Sequence, residues 1–330
     1  MKIESLPLVQ TVSARIEETE PQRIVAISFA GRSADADCPL AATRAGVLPR
    51  SIGQGREAEQ LRPDTPGNHK RGGDLPVICQ PLRRLFTWYA RRYLRRHFHS
   101  LRVARASVLP VKTDQPLVVY SNHASWWDPL VALVLAEEFL PGRHVFAPMD
   151  AGALDGYGFF KHLGVFGVEQ GTRRGAGKFL HTARMILRKP KNAIWLTPQS
   201  RFADVRERPI SFKAGIGHLP KQGGQLCFVP VAVEYVFWEE RLPEILVRFG
   251  KPYETCAEKM QLAPQGWTEF FAGRLADTQN ALAAEACHRQ PERFHCLLRG
   301  QTGVGGTYDR WRAVKAKWRG ELFQPQHGKL

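Results

Sequence analysis

The sequence predicts an α/β fold: a central mixed, mostly parallel sheet covered by helices, with an N-terminal amphipathic helix and a basic C-terminal helical tail. Three observations predict it. Residues 117–120, 193–196 and 227–233 are short, almost wholly apolar runs, the pattern of strands covered on both faces. Stretches of helical periodicity separate them, as in folds where helices cover a central sheet. With 330 residues and 43% hydrophobic content, the chain can bury one substantial core.

Residues 1–75 are rich in Gly, Pro, Ser, Arg and Asp, and only 23–30 could form a strand. They read as a mostly disordered extension. Residues 76–110 form the next unit. Leu82, Phe86, Tyr89 and Tyr93 recur at helical spacing from 81 to about 105, and Leu94, Phe98 and Leu101 continue the apolar side. Nine cations, from Arg83 to Lys112, fall between Leu75 and Thr113, where there is no Asp or Glu. Aromatics flanked by arginines suit a membrane interface, and the net charge of +16 points to an anionic partner. The plain alternative is an amphipathic helix docked on the core.

Residues 111–260 are the expected α/β core. Strands are expected at 117–120, 144–147, 165–169, 193–196, 227–233 and 245–249. Asp128 as N-cap and Pro129 as first helical residue open a helix that Pro141-Gly142 stops, and a second helix covers 176–187. Residues 261–330 carry a helix at 267–285 and a basic one at 308–322, striped by Trp311, Val314, Trp318 and Leu322.

Nothing in the sequence approaches the roughly 18 to 20 apolar residues of a spanning helix, and the first residues lack a signal-peptide pattern. Six scattered cysteines favour reduced thiols, hence a cytoplasmic location, peripheral on the inner face of the membrane.

The chemistry is expected in Asn122-His123-Ala124-Ser125-Trp126-Trp127-Asp128-Pro129, where a buried strand ends and a helix begins. A helix N-terminus favours a carboxylate anion. Such an anion can take the Nδ1 proton of His123 and leave Nε2 to receive a proton from a hydroxyl. A surface histidine beside a capping aspartate is the bland alternative.

This segment resembles the first signature block, N-H-x-S-x-x-D, of the glycerolphosphate and lysophospholipid acyltransferase superfamily. Residues 164–170 (GVFGVEQ) resemble its second block. Thr197-Pro198-Gln199-Ser200-Arg201 with Phe212-Lys213-Ala214-Gly215 resembles the third, P-E-G-T-R…F-K-x-G, and Val229-Pro230-Val231-Ala232 the fourth. The resemblance implies His123 as general base, Asp128 as its partner, and no metal or resident cofactor. The implied acyl donor is a thioester of coenzyme A or acyl carrier protein, and the acceptor a lysophospholipid or other lipid alcohol. The substrate-binding residues it suggests are Asn122, Ser125, Gln170, Arg173, Arg174, Pro198, Gln199, Ser200, Arg201, Lys213 and Gly215.

Two departures mark the acceptor blocks. Gln170 stands where the family has Arg, with Arg173 and Arg174 nearby. Gln199 replaces Glu, and the third block is one residue short unless Phe202 takes the Arg position. Among the motifs that fail, residues 171–178 lack the glycine and the Ser or Thr of a phosphate loop, and there is no G-x-S-x-G. Cys287-His288 and His295-Cys296 match no standard zinc spacing. The competing readings are an inactive membrane-binding relative and a nucleic-acid binder; no nucleic-acid module is present, so no nucleic acid is expected.

Overall fold

The computed structural model describes residues 75–109, 115–222, 224–255, 262–303 and positions 311, 314, 315, 318 and 319. The expectations for residues 1–74, and for most of the 308–322 helix with Leu322, lie outside the described residues. Trp311, Val314 and Trp318 of that stretch are exposed.

The α/β expectation holds. Nine strands form one sheet: β1 Ser100–Ala104, β2 Leu117–Ser121, β3 His144–Asp150, β4 Val165–Val168, β5 Asn192–Leu196, β6 Cys227–Val236, β7 Glu244–Phe249, β8 Tyr253–Glu254 and β9 Phe294–Arg299. Their order is β4-β3-β5-β2-β6-β7-β1-β9, with β8 pairing β6. From β4 to β6 every pairing is parallel, whereas β7 runs antiparallel to β6 and β9 antiparallel to β1. All five residues of β2 are buried, which explains its unbroken apolar run.

Helices α1 Gln80–His97 and α2 Asp128–Phe139 cover one face, against Leu117, Val119, Val229, Val231 and Val247. Helices α4 Arg173–Leu187 and α5 Pro264–Cys287 cover the other, against Val118, Tyr120, Ile194 and Phe228; a short α3 Ala151–Gly156 follows β3. Strands β2 and β6 therefore feed both layers by simple alternation. Helix α4 begins three residues before the expected start because the Thr172 hydroxyl accepts the Gly175 amide at 2.9 Å and caps it there.

Two boundaries differ from the sequence reading. The helix expected to run to about 105 stops at His97, and residues 100–104 are β1, inside the sheet. Helical periodicity misread this stretch because it holds an arginine that is not solvated. Arg102 is 4% exposed and its Nε donates to Glu244 Oε2 at 2.5 Å, while the Ser100 hydroxyl donates to the same carboxylate. The second difference is β9, in the part expected to be only helical. It pairs β1, so the sheet extends past both expected core boundaries, 110 and 260. Gly300 permits this junction: its amide donates to His99 O at 2.7 Å, and a Cβ there would fall 1.9 Å from Phe98 O.

Helix α1 is docked on α2. Its buried stripe is Arg83, Thr87, Ala90 and Leu94; Phe86, Tyr89 and Tyr93 are half-buried beside it. Arg83 lies 3.8 Å from Glu137 and Arg91 3.1 Å from Glu138. Burial lowers the pKa of the Arg83 guanidinium, with Glu137 opposing the shift. The face left outward carries Leu85, Trp88, Arg84, Arg92, Arg95 and Arg96.

The Arg102–Glu244 pair yields a stability prediction. Glu244→Ala strands a buried guanidinium and lowers unfolding free energy by about 3–5 kcal/mol in urea titrations. Replacing both residues by apolar ones of similar volume (Arg102→Met with Glu244→Leu) recovers most of that loss.

Candidate active site

Strand β2 ends at Ser121, and a six-residue loop carries the chain to Asp128 at the start of α2. Asn122 fixes the loop's origin. It is 1% exposed; its Nδ2 donates to Val233 O at 2.9 Å and its Oδ1 accepts the Val233 amide at 2.8 Å, so it extends the β2–β6 ladder by one side chain. The backbone of His123 is held at both ends. Its N–H donates to Gln199 Oε1 at 2.9 Å, and its carbonyl accepts the Ala203 amide at 2.8 Å.

The side chains of His123 and Asp128 meet. Nδ1 of His123 lies 2.8 Å from Asp128 Oδ2. A carboxylate only accepts, so Nδ1 carries the proton and Nε2 is the basic nitrogen. The same Oδ2 accepts the Ser125 amide at 2.9 Å, and Oδ1 accepts the Tyr235 hydroxyl at 2.5 Å. Asp128 is 5% exposed, whereas the His123 side chain keeps 20%. Burial, with the Asp128 charge adding to it, pushes the Tyr235 phenol far above its ordinary pKa, so it stays a proton donor.

Asp128 is the first residue of α2 and not its N-cap, which falls on Trp127. Its carboxylate is engaged by the loop, the histidine and Tyr235, and makes no capping bond to the helix amides. Its place in the first helical turn still sets it at the positive end of the helix dipole.

The other expected site residues divide into supports and surface. Asn122, Pro198 and Gln199 are buried supports; Pro198 O accepts the Lys213 amide at 2.8 Å. Asn122 and Gln199 use their amides on the backbone of this site, which turns them inward. The Ser125 hydroxyl accepts the Trp127 amide at 3.3 Å. Gly215 lies under the Phe179 ring, 3.1 Å from where a Cβ would be. The Lys213 residue is exposed, and Arg201 is ion-paired with Glu207. Gln170, Arg173 and Arg174 are exposed beyond β4, on the same edge of the sheet as His123 but three strands from β2. That is roughly 14 Å away across the sheet.

Ser200 has φ +54°. Left-handed backbone is where glycine sits at least cost, so Ser200 occupies the Gly position of P-E-G-T-R. Arg201 then stands on the Thr position and Phe202 on the Arg position. The Phe202 ring, 58% exposed, lies 4.5 Å from the His123 ring.

Sequence reasoning missed Tyr235 and the contact of Phe202 with His123. No spacing links Tyr235 to an aspartate 107 positions earlier; only the β2–β6 register brings them together. An aromatic on the Arg position of the third block was the visible trace of Phe202. Beside the pair opens a cleft of about 610 Å³ lined by Ala124, Phe202, Asp204, Arg206, Glu234 and Tyr235. Among the described residues no three His, Cys, Asp or Glu side chains gather to hold a metal ion.

A carboxylate-oriented imidazole at the carboxyl end of a parallel strand, beside an open cleft, is an arrangement that can exchange a proton with a bound group. Residues 96–234 match the family model described as Acyltransferase, the glycerolphosphate and lysophospholipid acyltransferase family. All four blocks quoted above fall within the match. No curated protein matches the chain.

Tyr235 makes a direct prediction. Tyr235→Phe removes one donor from Asp128. The carboxylate is then less firmly placed, and kcat/KM falls about tenfold, equivalent to about 1.4 kcal/mol. An unchanged kcat/KM in a folded Tyr235→Phe protein would show that the phenol plays no part in orienting the pair.

Proposed function

We propose that the protein is an O-acyltransferase that moves a fatty acyl group from a thioester of coenzyme A or acyl carrier protein to a lipid hydroxyl. The 2.8 Å contact between His123 Nδ1 and Asp128 Oδ2 carries this reading, because it leaves Nε2 basic beside the cleft. Nε2 takes the hydroxyl proton as the oxygen attacks the thioester carbonyl. The tetrahedral intermediate collapses, the C–S bond breaks, and the thiolate receives the proton from the imidazolium. Asp128 supports the transient cation.

The acceptor is a lysophosphatidate-like lipid or another lipid alcohol. Gln199 does not argue for an inactive relative, since its side chain anchors the His123 backbone in productive geometry. His123→Ala is expected to abolish transfer from a long-chain acyl thioester while the circular-dichroism spectrum and melting temperature stay those of the wild type. Turnover retained in a folded His123→Ala protein removes the histidine from the mechanism.

The lipid substrates call for a surface on which the enzyme meets them. Among the described residues no helix is long and apolar enough to cross a membrane. The outward face of α1, with exposed Leu85 and Trp88 among exposed Arg84, Arg92, Arg95 and Arg96, supports a peripheral mode on anionic lipid at the inner face. Arg91 is engaged by Glu138 and contributes less. Replacing Arg84, Arg92, Arg95 and Arg96 by Gln releases the protein from anionic vesicles in sedimentation, each cation contributing on the order of 1 kcal/mol. Unchanged co-sedimentation would exclude this face.

A further inference from the structure

Behind the cleft beside His123 lies a second cavity of about 230 Å³, between the 201–208 loop, β6 and α5. Its walls include Arg206, Arg208, Glu234, Gln279, Asn280 and Ala283. Val205, Arg206 and Glu234 line both spaces, so the two adjoin. The volume corresponds to about eight waters of liquid, enough for one small ring or polyol.

Two acceptors stand on its walls, Gln279 Oε1 and the Glu234 carboxylate. Gln279 is 5% exposed; its Nε2 donates to Val205 O at 3.3 Å, and its Oε1 is buried with no hydrogen-bond partner among the described residues. An orphaned acceptor at that depth is costly unless a donor reaches it. Glu234, half-buried on the shared wall, adds carboxylate oxygens; burial raises its pKa, with Arg206 opposing.

The arginines are already engaged. Arg206 holds Asp204 by two bonds, Nε to Oδ1 at 2.8 Å and Nη2 to Oδ2 at 2.7 Å. Arg208 donates through Nη1 to Val205 O at 2.9 Å and Glu207 O at 2.8 Å, and through Nη2 to Asn280 Oδ1 at 2.7 Å. An anionic ligand would meet the Glu234 carboxylate. A cationic ligand would meet two guanidinium groups. A neutral ligand rich in hydroxyl donors satisfies Gln279 and Glu234 without either conflict.

We infer that this cavity receives the uncharged, polyhydroxylated headgroup of the acceptor, with Gln279 and Glu234 accepting its hydroxyls, so that the acceptor is a glycosyl or polyol lipid. The inference rests on the acyltransferase reading and names the acceptor class for that site. The aromatic ring on the phosphate-reading position of the third block fits the same chemistry: Phe202 offers a sugar an apolar face where an arginine would seek an anion.

Ligand-observed NMR on the full chain tests this, with octyl β-glucoside, octyl phosphate and octylammonium as probes, each below its micellar concentration. The glucoside binds, and Gln279→Leu and the cavity-filling Ala283→Phe each weaken it by about tenfold or more. Equal glucoside affinity in the wild type and Gln279→Leu overturns the inference. So does tighter binding of the phosphate or the ammonium probe that Gln279→Leu abolishes. Should Ala283→Phe disturb folding, the near-isosteric Gln279→Leu decides alone. A transfer assay distinguishes failure of the cavity from failure of the reaction. Gln279-dependent glucoside binding without acyl transfer to any hydroxyl sinks the reaction and spares the cavity. Acylation of lysophosphatidate with the same KM in the wild type and Gln279→Leu, without glucoside binding, does the reverse.

Discussion

Asp128 is the pivot of this molecule, because its two oxygens answer to three parts of the chain. One takes the imidazole proton of His123 and the amide of Ser125; the other takes the Tyr235 hydroxyl from β6. Each donor narrows the freedom of the carboxylate, and the imidazole inherits that restriction. The group is 5% exposed, and a buried carboxylate is tolerable only when it is this well supplied with donors. The same bonds that make the aspartate permissible make the histidine directional.

The loop between β2 and α2 is held as firmly as the aspartate. Asn122 ties its start to β6, and Gln199 with Ala203 ties both backbone groups of His123 to the third block. This explains why a departure such as Gln for Glu at 199 is compatible with the site, since a carbonyl oxygen on an amide accepts an N–H as a carboxylate oxygen would. Ser200 shows the opposite kind of departure. It sits at φ +54°, in a conformation that asks for glycine, and so stores strain beside the histidine. Neither change alters the contact between the His123 and Asp128 side chains.

Much of this was legible in the sequence, for identifiable reasons. The apolar runs of β2, β5 and β6 stand out because a parallel strand buried on both faces cannot alternate. The His123–Asp128 pair was readable because both residues belong to one strand–loop–helix unit. Strand β1 was not, since Arg102 reads as a surface residue until its partner 142 positions away is known. Strand β9 was missed because its short run follows a long helix and gains its meaning only from pairing with β1. Tyr235 belongs to the same class. Long-range pairing carries no local mark, and the partners of Arg201, Arg206 and Arg208 are set by folding.

Strand β6 has a further consequence. Val231, Val233 and Tyr235 face the layer of α1 and α2, while Ala232 contacts the α5 side and Glu234 lines the cavity there. A single stretch of backbone thus carries Tyr235, which holds Asp128, and Glu234, which lines the cavity, as neighbours in sequence. On the proposed reading, substitution on the α5 side recasts which acceptor fits while leaving the Tyr235–Asp128 bond untouched. A one-residue slip of this strand would ruin both at once.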